Sequence, residues 1–216
     1  MYSRNIFITV LPVAMHLSLF TFVISAAATT WDPGADYRQR FIWPGKPPNS
    51  ENTSILPENM MQGDHPVAGK PISVISNVAR PTMTVYPPKG ANSGAAIVVF
   101  PGGGYRKLAI DLEGTEVCDW LTAKGITCVL LKYRVPDSGC HWDPELKRHV
   151  VPKIFTALQD AQRTVGLLRF EAIKWKIDPK KIGVIGFSAG GHLVASLSTN
   201  YKQHIYPDID AADGRV

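Results

Sequence analysis

The sequence predicts an α/β fold: a mainly parallel sheet with helices on both faces. Three observations carry that expectation. Short apolar runs recur at 95–100, 126–133 and 182–185, and an unbroken apolar run of that length marks a strand covered on both faces. Stretches with helical spacing alternate with them, at 113–123, 154–175 and 192–197. Two of the apolar runs lead directly into glycine-rich turns, PGGGY at 101–105 and GFSAG at 186–190. Strand, helix, strand, helix, strand, helix implies parallel strands joined by right-handed crossovers.

The 216 residues suffice for one domain with a substantial core. Hydrophobic residues make up 45% and charged residues 19%, which excludes a disordered chain. The net charge of +5 is scattered, its densest points being the pairs Lys147-Arg148 and Lys180-Lys181. That pattern describes a solvated surface, so no nucleic-acid partner is expected.

Taken in order, residues 1–28 read as a secretory signal. Arg4 gives the positive start, 6–24 is mostly apolar, and Ala26-Ala27-Ala28 supplies small residues for cleavage. The expectation is a secreted or periplasmic protein with no membrane contact after signal cleavage. Residues 29–81 form a lead-in rich in Pro, Gly and Asn, without periodicity, expected as extended, turn-broken backbone. It is either a linker or a segment that packs across the main domain, with Trp31, Tyr37, Phe41 and Trp43 favouring packing. Asn52-Thr53-Ser54 fits the glycosylation acceptor pattern.

Residues 82–216 are expected as a partial α/β domain. Residues 82–86 alternate as a strand does and end at Pro87-Pro88. A helix over 113–123 stops at Gly125, and a polar, Pro-containing loop spans 135–152. The longest helix, 154–175, presents Ile154, Leu158, Ala161, Val165, Leu168, Ala172 and Trp175 on one face. Asp178-Pro179 breaks it before the last strand. Cys118, Cys128 and Cys140 allow three pairings, each leaving one thiol over. None of their spacings fits a zinc site.

The chemistry converges on 181–200. An apolar strand, a sharp turn with Ser188 at its apex and a helix form the setting of a nucleophile elbow. Gly186 and Gly190 keep that turn free of colliding side chains. The motif alone arises by chance in roughly one chain of this length in fifteen, given the abundance of Gly and Ser. Its context decides. A serine nucleophile also needs donors for the oxyanion. The Ala189 amide, and the amides of a glycine loop after an earlier buried strand, would supply them, and Gly102-Gly103-Gly104 stands in that place. Neither glycine stretch matches a nucleotide-binding pattern.

These segments also carry a family resemblance. PGGGY at 101–105, LAIDLEG at 108–114, LKYRVP at 131–136, LQDAQRTVGLLR at 158–169 and IDPKKIGVIGFSAGGHL at 177–193 resemble the α/β-hydrolase esterase/lipase family. The similarity is greatest to exported carbohydrate esterases of the acetylxylan-esterase type. It implies an α/β-hydrolase fold and hydrolysis of acetyl or other small acyl esters through an acyl-enzyme on Ser188. By the same resemblance Gly103, Gly104 and Ala189 form the oxyanion hole, with no metal and no cofactor. The implied partner is a small-molecule or carbohydrate ester. Pro101 replaces the histidine that heads the glycine loop in hormone-sensitive-lipase relatives.

A triad on this fold follows the order Ser, acid, His. Asp208, Asp210 and Asp213 follow Ser188 in a polar tail, and His204 precedes them, which is the wrong order. His192 lies on the helix leaving the elbow and is expected to pack or hydrogen-bond structurally. His65, His141 and His149 come before the elbow. The triad acid and base are therefore expected outside this chain, the C-terminal strands to be missing, and the chain alone to be inactive. Two other function classes compete: a serine peptidase of the same superfamily and a non-catalytic exported binding module.

Overall fold

The computed structural model describes residues 30–215, apart from 53–55, 64, 137–140, 144, 146 and 151–153. The expected signal at 1–28, Cys140, and Thr53 and Ser54 of the acceptor pattern lie outside the described residues.

A five-stranded sheet forms the centre. Its strands are β1 (Arg40–Phe41), β4 (Thr82–Tyr86), β5 (Ala96–Phe100), β7 (Thr127–Lys132) and β10 (Ile182–Gly186), in the order β1-β4-β7-β5-β10. β5 pairs in parallel with both β7 and β10, whereas β4 runs antiparallel to β7 and β1. Four strands thus share one direction. Ala96, Val98, Val99 and Phe100 are buried, as is every residue of β7, as unbroken apolar runs require of a sheet covered on both faces.

The chain steps from β5 through α1 (Glu116–Ala123) to β7, and then through α2 (Phe155–Phe170) back across β5 to β10. Reversing the step with right-handed crossovers puts α1 on one face and α2 on the other. α3 (Ala189–Thr199) leaves β10 and packs against α2. Cys118 of α1 is joined to Cys128 of β7 by a disulfide.

Three differences from the sequence reading have physical causes. The lead-in is more ordered than its composition suggests. It supplies β1 and also β2 (Asn59–Gln62) and β3 (Ser73–Ser76), which pair with β6 (Lys107–Ala109) in a second, antiparallel sheet. Its Trp31, Ile42 and Trp43 are buried, as the packing alternative expects. The loop expected at 135–152 contains a hairpin of β8 (His141–Asp143) and β9 (Arg148–Val150).

The third difference concerns α2, which ends at Phe170 and not at Trp175. A run of turns at 171–176 follows, in which Lys176 adopts φ 55°. Moreover, α2 is buried nearly all round, including Gln159, Asp160, Gln162, Arg163 and Thr164. Periodicity assigns those residues to solvent, but the lead-in and residues 205–213 lie over them. Trp43 Nε1 donates to Asp160 Oδ1 at 2.8 Å, and Arg134 donates from its backbone and its side chain to the same carboxylate. Arg163 reaches Asp213 at 2.7 Å, Asp210 at 2.6 Å and the Ile42 carbonyl at 2.9 Å. Buried charge is tolerated because each partner is hydrogen-bonded as well as paired.

Candidate active site

β10 carries the chain to the carboxyl end of the parallel strands, beside the end of β5, where the direction of stepping reverses. That is the usual place for a ligand site in an open α/β sheet. Ser188 follows at φ 49°, ψ −116° and caps α3. A non-glycine residue in this backbone region is strained, at a cost of about 1–3 kcal/mol, and persists only where its surroundings hold it. The holding is visible. A Cβ on Gly186 would lie 2.2 Å from the Gly190 carbonyl oxygen, and one on Gly190 would lie 1.9 Å from that of Phe100. Only glycine lets the turn close onto β5.

Ser188 is exposed, and its hydroxyl makes no hydrogen bond to a described residue. Gly102 packs directly against it. A Cβ there would meet Ser188 Cβ at 3.0 Å and the Phe187 carbonyl oxygen at 2.6 Å. Beyond it, Gly103 (φ 135°) and Gly104 (φ 63°) turn through conformations that side chains rarely adopt, and a Cβ on Gly103 would sit 2.0 Å from the Lys107 carbonyl oxygen.

The carbonyls of this loop are committed inward. Gly102 O accepts from the Ala109 amide, and Gly103 O from the amides of Arg106 and Lys107. In a planar trans peptide the N–H points opposite to the carbonyl. The amides of Gly103 and Gly104 therefore face away from β6, and neither has an acceptor among the described residues. The Ala189 amide is equally unengaged there, because the Ser188 carbonyl accepts from His192 within α3. Ser188, Gly102 and the two elbow glycines thus meet at the carboxyl end of β5 and β10, with unengaged donors on both sides of the turn.

Two supporting residues escaped the sequence reading. Glu113 reads there as the start of a helix. It lies instead in a π-helical turn, Asp111–Thr115, and its Oε2 accepts the Gly102 amide at 2.7 Å. The carboxylate and the Ser188 side chain are neighbours across Gly102. No sequence rule ties an acid to a glycine amide eleven positions upstream. Tyr105, buried at φ 57°, hydrogen-bonds through its hydroxyl to His192 Nδ1 at 2.9 Å. That contact pins the glycine loop to α3 and occupies one ring nitrogen of His192.

The histidines after the elbow do not hydrogen-bond to Ser188. His204 pairs with Asp208 at 2.9 Å and packs edge-on against Tyr206. Residues 200–205 are tied to α2 through Gln162 and Gln159. Asp213, expected in a polar tail, is buried and accepts from Arg163, from the Tyr206 hydroxyl and from the amides of Ile209 and Asp210. Burial alone would push its carboxyl up, yet those four partners together hold it below the usual range. It is a structural acid. Among the described residues, no group of three or more His, Cys, Asp or Glu is placed to hold a metal ion.

Residues 83–212 match the model of the BD-FAE family, a span that takes in the glycine loop and the elbow. The chain belongs to the BD-FAE family. Over 134 residues the chain is 34% identical to an acetylxylan esterase of Xylanibacter ruminicola, covering 62% of this chain and 25% of that protein. A stretch of 105 residues is 31% identical to endo-1,4-beta-xylanase B of Butyrivibrio fibrisolvens, covering 49% of this chain and 15% of that one. Among solved structures, an acetyl ester-xyloside bifunctional hydrolase from Caldicellulosiruptor lactoaceticus is similar at a TM-score of 0.47 and 29% identity, covering 73% of this chain and 45% of that one. This BD-FAE chain thus spans about a quarter of the acetylxylan esterase it matches. Its mainly parallel sheet, with strand, elbow and helix at the carboxyl end, is of the α/β-hydrolase type.

Proposed function

We propose that this segment is the nucleophile half of a secreted serine esterase that cleaves acetyl or other small acyl groups, carried on a carbohydrate, through an acyl-enzyme on Ser188. The observation that carries the reading is the juxtaposition of a strained, exposed serine with amides of the glycine loop and of the start of α3 that have no acceptor among the described residues. In the proposed step Ser188 Oγ attacks the ester carbonyl, and the amides of Gly103, Gly104 and Ala189 receive the oxyanion. Loss of one such donor typically costs about 3–4 kcal/mol of transition-state stabilisation. The likeness to an acetylxylan esterase favours an acetylated sugar over a peptide. The Cys118–Cys128 disulfide supports the export expected from residues 1–28, since disulfides persist in oxidising compartments.

A base must reach the serine hydroxyl, and no described histidine does so. In the proposed enzyme the base and acid belong to polypeptide packed against the outer edge of β10, which pairs with no other strand among the described residues. The test uses two serine-directed phosphonates, one a small alkyl mimic of an acetyl ester and one peptidyl. The small mimic is expected to modify Ser188 faster. The reverse order would favour the peptidase, and modification by neither would favour a binding module.

A further inference from the structure

At the same carboxyl rim of the sheet, on the far side from Ser188, lies a cavity of about 460 Å³. Phe41 ends β1, Thr82 begins β4 and Lys132 ends β7, and all three line it. β4 is three strands from β10 and β1 is four, so at about 4.8 Å per strand the cavity stands roughly 14–19 Å from the elbow. Trp31 and Phe41 give it flat apolar walls, and its volume is in the range of about 300–1,000 Å³ typical of small-molecule sites.

Most of its polar groups are committed. Both Glu58 oxygens accept from Lys132 Nζ, at 2.7 and 2.8 Å. Gln39 accepts from the Thr82 hydroxyl and donates to the Trp31 carbonyl. Asn77 donates to the Pro57 carbonyl. Arg80 differs. Its guanidinium stacks 3.9 Å from the centroid of Phe41, and it makes no ion pair or hydrogen bond among the described residues. It also lines a second cavity of about 370 Å³ together with Lys46, which likewise has no acidic partner there. The two spaces meet at a cation held over a ring, its N–H groups without a partner among the described residues.

We propose that this is a distal subsite for a carboxylate-bearing sugar, a uronic acid residue of the oligosaccharide whose ester is presented to Ser188. A planar guanidinium binds a carboxylate through two parallel charge-assisted hydrogen bonds, stronger than those it makes to the hydroxyls of a neutral sugar. The aromatic walls take the apolar face of the ring. Lys46 adds positive charge on the approach. The proposal rests on the carbohydrate-ester reading of Ser188 and deepens it: the rim selects acidic chains at one end and reacts at the other.

The experiment titrates the chain by calorimetry with xylotetraose and with a xylotetraose carrying one glucuronic acid. The acidic sugar is expected to bind at least about tenfold tighter, as one charge-assisted bidentate pair provides. Arg80→Gln should abolish the preference. Arg80→Lys, which keeps the charge but loses the fork, should retain only part of it. Arg80 is exposed, so both variants should unfold at the wild-type denaturant midpoint. Equal affinity for the two sugars, or a preference that survives Arg80→Gln, would overturn the subsite. Phosphonate modification of Ser188 in the same samples separates the two readings. Loss of sugar preference with intact modification sinks the subsite alone, and absent modification with intact preference sinks the esterase reading alone.

Discussion

Ser188 is held by contacts that leave little room for substitution. Gly190→Ala places a methyl carbon on the Phe100 carbonyl, and the helix must shift off β5 to admit it. That variant is expected to lose phosphonate reactivity and at least about 2 kcal/mol of stability by urea unfolding, a magnitude in line with other overpacked sites. Glu113 acts on the same geometry from the other side, by fixing the Gly102 amide. Glu113→Ala should slow modification of Ser188 about tenfold or more, whereas Glu113→Gln, whose amide oxygen still accepts a hydrogen bond, should recover most of the rate. Equal slowing in both variants would show that the charge, not the hydrogen bond, matters. At this scale the sequence was informative about one side of the site. The glycines announce themselves because the turn tolerates no side chain at their positions, and Ser188 because it stands between two of them. Glu113 does not, because its role depends on where the π-helical turn places it.

Among the elements, α2 is the one whose environment the sequence conceals. Its apolar face was legible from residue spacing, and Leu158, Ala161, Val165 and Leu168 are buried. The burial of Asp160 and Arg163 was not, because it requires the lead-in and residues 205–213 to lie across the helix. Asp213→Ala should cost about 3–5 kcal/mol by stripping a buried partner from Arg163. Acid should act on the same cover. The Arg163 guanidinium, aided by the Ala212 amide, holds Asp210 down at about 2 from an ordinary 3.8. A folded-state value below the unfolded one stabilises above pH 3.8, and that contribution disappears as pH falls through about 2. Protection factors of the amides in 205–213 should therefore fall over that window. A protection profile flat across it would contradict the role given to Arg163. Reducing the Cys118–Cys128 bond, which closes a short loop between α1 and β7, should lower stability by about 2–3 kcal/mol on the loop-entropy estimate.

For the molecule as a whole, the edge of β10, which pairs with no other strand among the described residues, is the dominant feature. Val184 lies on it beside an apolar groove lined by Val165, Leu197 and Tyr201. An open edge with that character is a template for pairing. The chain is expected to self-associate as concentration rises, and Val184→Lys should suppress that association in light scattering. The α/β class could be read from alternating apolar and helical stretches; the strand order could not. Nor could the second sheet, since β2 and β3 come from a Pro- and Gly-rich lead-in whose pairing is set by β6. With no histidine bonded to Ser188 among the described residues, the chain alone should not turn over acetyl esters. Turnover lost in Ser188→Ala would refute the assignment of base and acid to other polypeptide.

The most direct test is intact-mass and peptide mapping of the chain after prolonged exposure to the small phosphonate. Oxyanion donors without a base still accelerate attack, by roughly 10³–10⁴ over water in serine proteases stripped of their triad. A single, slowly formed adduct on Ser188, absent from Ser188→Ala, is the predicted result. An adduct on any other residue, or none at all, would contradict the account.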